Sequence, residues 1–392
     1  MNILLIPSVF PTRRELWPGL YVYEYARSLA LKHDVTVVYP QQLGSPRVGA
    51  EPFHDEDRLA PRILRVNYTY THVPKSWVLS YLAAFRRVLR RVRREWKIDV
   101  VYAHVVMPAG LSALMLKRLF GLPFVLTEHW GPVRNWVDEA PPSQKKMLSW
   151  GLRHAYADAD YRTAVSDSLA AEIREEFGVS VDGKLDYPID CDMFRPAAPG
   201  EEDGAAQPPR VLCVTRGHYD PRKGVANLLD AWQRVAQSSN GAGAAQLDIV
   251  GPDVELLAPR VEGLRVGASV NLLPWVPPAE LAPLIRRSAL VVIPSSYETF
   301  GRSGAEALAS GVPVVATRCG GPEEYVHEGT GLLVPKEDPA ALAEGIRAGL
   351  ERERFLPAEE LARRTRGRFG HEVICERFTE VAEKIVAGKG QG

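Results

Sequence analysis

Ala197 to Pro209 reads AAPGEEDGAAQPP, and the parsing of the whole chain turns on it. Proline, glycine, alanine and acid follow one another with nothing large to bury, which is the composition of a linker. The same rhythm runs on both sides, a short β-branched run followed by a stretch with helical spacing. Before the linker, Asn2–Ile6, Asp34–Tyr39, Asp99–Ala103, Pro123–Thr127 and Arg162–Val165 read as strands, with Gly19–Leu31, Pro108–Phe120 and Asp167–Phe177 as helices. After it, Val211–Thr215, Leu247–Val250, Val270–Leu273, Leu290–Ile293, Val312–Ala316 and Leu332–Val334 restart the pattern. Near-continuous apolar runs suit strands covered on both faces, as in parallel sheets. Strand–helix alternation predicts doubly wound α/β architecture. The expected domains are residues 1–196 and 210–370, joined by 197–209, with a last helix in 371–392 packing back across the hinge. Ligands of such sheets sit beyond the carboxyl ends of the strands, so two facing domains place a site in a central cleft.

Composition removes several classes. The 392 residues carry 48 Lys+Arg against 48 Asp+Glu, and this neutral sum argues against nucleic acid as a partner. Apolar residues at 46% supply a full core. Cys191, Cys213, Cys319 and Cys375 form no C-x-x-C pair, so buried free thiols are expected rather than disulfides or a zinc site. The apolar run Ile3–Ile6 is too short for a signal-peptide core. The expected location is cytoplasmic.

Pro294 to Pro313, PSSYETFGRSGAEALASGVP, is the first chemical signal. A strand ends in Pro-Ser-Ser, a glycine-bearing loop follows, and a helix opens near Arg302. Backbone N–H groups at a helix start suit an anion such as phosphate. Glu298 lies on the loop and Glu306 about one turn inside the helix, spaced E-x7-E. The bland alternative has Glu298 capping the helix and Glu306 on a solvated face. A second signal follows the strand Val211–Thr215: Arg216 and Lys223 flank a loop before Gly224. Arg grips phosphate oxygens bidentately and Lys adds a point charge. Neither a G-x-G-x-x-G turn after the first strand nor a G-x-x-x-x-G-K-[ST] loop is present, which lowers the dinucleotide dehydrogenase and P-loop readings.

Taken jointly, R-x6-K-G (Arg216, Lys223, Gly224), E-T-F-G (Glu298–Gly301), the E-x7-E spacing and GGPEEYVHEGTGLLV closely resemble family-4 retaining glycosyltransferases of the GT-B fold. So do PSVFP–PGLYVYEYARSLA, LPFVLTEHWGP and TAVSDSLAAEI in the first half. The resemblance runs over nearly the whole chain. It implies two Rossmann-like domains facing a cleft, with a nucleotide-sugar as donor substrate and no separate cofactor. Arg216 and Lys223 would hold the donor diphosphate, with backbone N–H groups of Thr299, Phe300, Gly301 and Arg302 adding to them. Glu298 would contact the donor sugar, Glu306 the ribose, and His129 the sugar, where otherwise it would read as a partner of Glu128. Gly19 would let backbone approach the phosphate, and the base would lie near Gly251 and Val276. UDP-sugar is the first expectation for the donor and GDP-mannose the second. The family's P-N-G/P-V-D segment reads Asp186-Tyr187-Pro188-Ile189-Asp190 here, and a single Gly19 follows Pro18 where two glycines are common.

Two D-x-D triplets, Asp158-Ala159-Asp160 and Asp190-Cys191-Asp192, are read as structural, and no metal is expected. His54-Asp55-Glu56-Asp57 is read as a solvated loop. Trp77 to Lys97 is predicted to be one amphipathic helix, with Val78, Leu82, Phe85, Leu89, Val92 and Trp96 in one stripe. Arg86, Arg87, Arg90, Arg91, Arg93, Arg94 and Lys97 crowd the remainder, a patch suited to anionic lipid heads and to a carbohydrate or lipid-linked acceptor. Residues 1–100 hold 16 Lys+Arg and 9 Asp+Glu, so the neutral total hides a basic first quarter. His104, Trp130, Arg134 and Trp136, after strand ends, are candidates on the acceptor side. The competing expectations are another GT-B enzyme, such as a nucleotide-sugar epimerase or a phosphorylase, and a non-catalytic scaffold.

Overall fold

The structure is a computed structural model. It describes residues 1–11, 19–43, 55–60, 62–71, 85–86, 88–92, 94–131, 142–198, 201, 208–215, 220–237, 245–266 and 269–388. Contacts divide the chain into two units, Met1–Pro188 with His371–Gly392, and Ile189–Gly370.

In the first unit β1 (Asn2–Pro7) lies at the centre of an eight-stranded sheet. The other strands are β2 (Asp34–Leu43), β3 (Asp55–Ala60), β4 (Ile63–Thr71), β5 (Val100–His104), β6 (Phe124–Glu128), β7 (Tyr161–Ala164) and β8 (Gly183–Lys184). Their order is β3-β4-β2-β1-β5-β6-β7-β8, and every pair is parallel except β3 with β4. Ile3, Leu4, Leu5 and Ile6 of β1 are all fully buried, as expected for a strand covered on both faces. The strand order reverses between β1 and β5, so the loops beyond Pro7 and His104 flank the switch point where such sheets take ligands.

The second unit carries β9 (Arg210–Val214), β10 (Gln246–Gly251), β11 (Val270–Pro274), β12 (Leu290–Ile293), β13 (Val314–Thr317) and β14 (Gly331–Val334). Their order, β11-β10-β9-β12-β13-β14, is fully parallel, and the switch point falls between β9 and β12. The helix Val225–Ala236 buries Val225, Leu228, Leu229, Trp232 and Val235 against this sheet. These recur at helical spacing, and the Trp232 indole N–H donates to Ser269 Oγ at 2.9 Å.

Several expectations are corrected. Asp55, Glu56 and Asp57 belong to β3, paired antiparallel with β4, not to a loop; His54 lies outside the described residues. The stretch Ile63–Thr71, ILRVNYTYT, makes β4 although it is too polar to read as a buried run. The first helix is Leu20–Leu29, and the expected helix from Pro108 begins at Leu111 after an irregular turn, Val106–Gly110. The division between units falls at Pro188, ahead of 197–209. Residues after it are tied to the second unit: Ile189 N–H donates to Phe369 O at 2.8 Å, and Arg366 pairs with Asp192 at 2.7 Å. The last helix, His371–Gly388, follows the second unit in sequence but packs in the first. His371 Nδ1 lies 2.7 Å from Ser28 Oγ, His33 Nε2 lies 2.8 Å from Thr379 Oγ1, and Arg377 pairs with Asp186 at 2.9 Å.

Of the basic helix, residues 85–86, 88–92 and 94 are described and helical, and Trp96 and Lys97 lie past its end. Phe85, Val88 and Val92 are buried while Arg86, Arg90 and Arg94 are exposed. Arg91 pairs with Glu95 at 2.8 Å and sits over the Trp96 ring at 4.9 Å. Arg87 and Arg93, and the stretch from Trp77 to Ala84, lie outside the described residues. No helix among the described residues is long and apolar enough to cross a membrane. None of the four cysteines is in a disulfide, and all four are buried. Burial pushes the Cys213 and Cys319 thiols up to about 12, so both are protonated at neutral pH.

Candidate active site

Lys223 and Glu298, singled out separately in the sequence, meet at the switch point of the second sheet. Beyond β9 the turn Pro221–Lys223 is capped by Asp220, whose carboxylate accepts from Arg222 N–H at 3.0 Å. Gly224 follows with a left-handed φ of 66°. A Cβ there would lie 2.0 Å from the Pro294 carbonyl oxygen, so only glycine lets the turn lie against the end of β12. This placement brings Lys223 Nζ to 2.7 Å from Glu298 Oε1. Ser295 Oγ donates to the same oxygen at 2.8 Å. The Glu298 backbone is fixed by its own N–H to Cys319 O and by Gly321 N–H to its carbonyl, each at 2.8 Å. Glu298 therefore does not cap the helix, as its bland alternative had it, and the Lys223 ammonium is paired with it.

The helix Arg302–Ala309 starts after Gly301, whose carbonyl accepts from Gly304 N–H at 2.9 Å, while the N–H groups of Arg302 and Ser303 come before any carbonyl of the helix could accept them. The Tyr325 hydroxyl donates to Gly301 O. Phe300 is buried with its ring 5.5 Å from Phe369 and edge-on, which anchors the loop from the core side. Glu306 is only 5% exposed, with Arg302 Nε 2.7 Å from its carboxylate, so it is not on a solvated face. Thr299 is half-buried on the same loop, Gly251 ends β10, and Val276 follows β11. All these positions lie at the carboxyl edge of one sheet. Arg216, Arg134 and Trp136 lie outside the described residues.

In the first unit, Gly19 precedes the helix Leu20–Leu29 at φ 73°, and a Cβ would come within 2.4 Å of Val9 O. Its close packing on the β1 loop thus requires glycine without any ligand. His129 follows β6 and is fully buried. Its ring does not reach Glu128; Nε2 lies 2.8 Å from His104 Nδ1 instead. Glu128 has a different task. Its buried carboxylate accepts from Val106 N–H and His129 N–H at 3.0 Å, Trp130 N–H at 3.1 Å and the Tyr156 hydroxyl at 2.9 Å. Burial raises its pKa against these donors. The brace holds Val105, a β-branched residue, at φ 72°. Such backbone persists only where the surroundings impose it, and it clusters at functional sites.

The acidic triplets are engaged within the fold. Asp158 pairs with Arg118 at 2.8 Å and Asp160 with Lys117 at 2.7 Å. Asp190 Oδ1 accepts from Asp192 and Met193 N–H. Sequence reading missed Ser295 and Tyr325, and it gave Glu128 no role of its own. Ser295, three residues before Glu298 on a strand-end loop, was the one with a visible signal.

The Glycosyltransferase Family 4 pattern matches residues 19–183, and that of Glycosyl transferases group 1 matches residues 208–352. The D-inositol 3-phosphate glycosyltransferase of Geodermatophilus obscurus is 32% identical over 338 residues, covering 80% of this chain and 74% of that protein. Among solved structures, sucrose-phosphate synthase from Thermosynechococcus elongatus has a TM-score of 0.76 at 21% identity, covering 99% of this chain and 100% of that one. HepE of Anabaena, in complex with UDP-glucose, has a TM-score of 0.70 at 19% identity, covering 98% and 100%. Two doubly wound parallel-sheet units, each with a matching pattern, together with a relative of this identity and coverage, place the chain: it belongs to the family 4 glycosyltransferases, enzymes of the GT-B fold.

Proposed function

We propose that this glycosyltransferase moves a sugar from a nucleoside-diphosphate donor, UDP-linked before GDP-mannose, to a carbohydrate or lipid-linked acceptor, with retention at the anomeric carbon. The observation that carries this reading is the Lys223–Glu298 pair, 2.7 Å apart beside the switch point of the second sheet. A cation and a carboxylate held together there suit the two ends of the donor's reacting bond. Lys223, with Arg216, takes the charge that grows on the departing diphosphate, and Glu298 accepts from sugar hydroxyls. Thr299, Phe300, Gly301 and Arg302 add backbone N–H groups to the phosphate, Glu306 binds the ribose, and Gly251 and Val276 border the base. His129 contacts the sugar, and Gly19 gives the phosphate a close backbone approach. Fixed positive charge at the leaving group stabilises an oxocarbenium-like transition state without reorganisation. The acceptor attacks from the face the diphosphate leaves, and no metal is assigned a role.

UDP-glucose bound to HepE supports the choice of base. A thermal-shift panel of UDP, GDP and ADP tests it. A ligand at 100 times its Kd stabilises by about 2.7 kcal/mol, and UDP is expected to give the largest rise. A larger rise with GDP would move the donor to GDP-mannose; no rise with any nucleotide would overturn the reading. The exposed Arg86, Arg90 and Arg94 support a further element, docking on an anionic membrane that presents a lipid-linked acceptor for surface polysaccharide or glycolipid assembly.

A further inference from the structure

The two imidazoles at the ends of β5 and β6 are each other's hydrogen-bond partner. His104 Nδ1 and His129 Nε2 are 2.8 Å apart, with ring planes 17° from parallel. Both side chains are fully buried. The other nitrogen of each, Nε2 of His104 and Nδ1 of His129, is buried and has no hydrogen-bond partner among the described residues. Rings surround the pair: Tyr21, Tyr25 and Tyr187 lie 4.8, 5.6 and 5.1 Å from His129, and Tyr25 and Tyr102 lie 4.9 and 4.1 Å from His104. The adjoining carboxylate, Glu128, is engaged by three backbone N–H groups and Tyr156. An imidazole's tautomer is ordinarily set by a carbonyl or carboxylate on its other nitrogen. Among the described residues each ring is set only by the other.

Burial lowers both imidazoles, His129 to about 3, so each is neutral at pH 7 and carries one ring proton. Only one proton fits between them. In the first arrangement His104 Nδ1–H donates to His129 Nε2, and His129 carries its proton on Nδ1. In the second His129 Nε2–H donates to His104 Nδ1, and His104 carries its proton on Nε2. The two mixed arrangements set proton against proton or lone pair against lone pair. The rings must therefore hold the same tautomer.

We propose that His104 is a positioning residue for His129, deciding through the shared proton whether Nδ1 of His129 meets a ligand hydroxyl as donor or as acceptor. Passing from the first arrangement to the second moves the shared proton from His104 Nδ1 to His129 Nε2. The two arrangements hold the same number of protons and the same charge: the first has them on Nδ1 of both rings, the second on Nε2 of both. A sugar hydroxyl both gives and accepts hydrogen bonds, so the pair answers it in either sense. The ligand half of the inference rests on His129 as a donor-sugar contact; the coupling of tautomers does not.

Two-bond 1H–15N correlation spectra of the whole protein labelled with 15N-histidine, at pH 7, read both tautomers without any turnover. His104 and His129 are expected to report the same tautomer, both Nδ1–H or both Nε2–H. Opposite tautomers, or a charged ring, overturn the coupling. His104→Asn places an amide where Nδ1 sits, while His104→Phe removes the partner. With UDP-glucose as donor, His104→Phe is expected to lower kcat on the order of 100-fold with donor KM nearly unchanged. His104→Asn should recover most of that loss. Wild-type kcat in a folded His104→Phe, or equal loss in both variants, overturns the positioning role. If the wild type does not turn over the donor, it is the functional reading that has failed, and the spectra still decide the coupling. If His104→Phe does not fold, His104→Asn decides the positioning role: its kcat is expected within about 10-fold of wild type, and a loss on the order of 100-fold overturns that role.

Discussion

Lys223 and Gly224 do separate things in one turn, and substitution separates them. Lys223→Ala removes a cation but leaves Glu298 its Ser295 hydrogen bond and its backbone anchors. Its expected effect is a fall in kcat of roughly 100-fold or more with little change in Tm, read by initial rates beside calorimetry. Gly224→Ala forces a side chain into left-handed backbone, about 1–2 kcal/mol, and drives a methyl at the Pro294 carbonyl. The denaturation midpoint should fall by more than the backbone term alone, and an unchanged midpoint would mean the turn is placed differently. At this scale the sequence was informative about identity and silent about partners. Glu298 and Lys223 were visible from their motifs. That Glu128 braces the loop with four accepted hydrogen bonds was not, because its donors come from Val106, Tyr156 and neighbouring backbone that only the sheet brings together.

Among the elements, buried apolar strands were legible because both faces are covered, as for β1, β5, β12 and β13. The strands β3 and β4 were not: DEDRLA and ILRVNYTYT carry polar and charged residues through an edge of the sheet, so no apolar run marks them. The paired ends of β5 and β6 yield a pH prediction. A neutral histidine whose folded pKa is depressed contributes stability above its unfolded pKa of about 6.5 and loses it as pH falls toward the folded value. For His129, lowered to about 3, the window runs from about pH 6.5 down to about 3, at up to about 1.4 kcal/mol per pH unit. Tm measured across that range should fall more steeply for wild type than for His129→Asn; parallel curves would show that the imidazole is not held neutral. The basic helix offers a second element-scale test. Arg86, Arg90 and Arg94 changed together to Ser should abolish flotation with vesicles rich in phosphatidylserine, while wild type floats and is released by salt. Equal flotation of the two proteins would discard the membrane surface.

For the whole molecule, the proline-rich stretch 197–209 signalled two α/β halves correctly but not where the halves part. Contacts at Ile189 and Asp192 with Phe369 and Arg366 decide that, and they join residues far apart in sequence. The same holds for the last helix, which returns to the first unit through His371, Arg377 and Thr379. The neutral overall charge likewise concealed a basic first quarter. The central claim joins both ends of the second sheet's switch point to one event, the departure of a nucleoside diphosphate under fixed positive charge. Isothermal titration of wild type and Lys223→Ala with UDP tests it most directly. Saturable one-to-one binding in wild type, weakened at least 10-fold in the variant, is the predicted result, since a charge-assisted contact of about 1.5–3 kcal/mol is lost; equal affinity in the two proteins, or no binding of UDP by either, would contradict it.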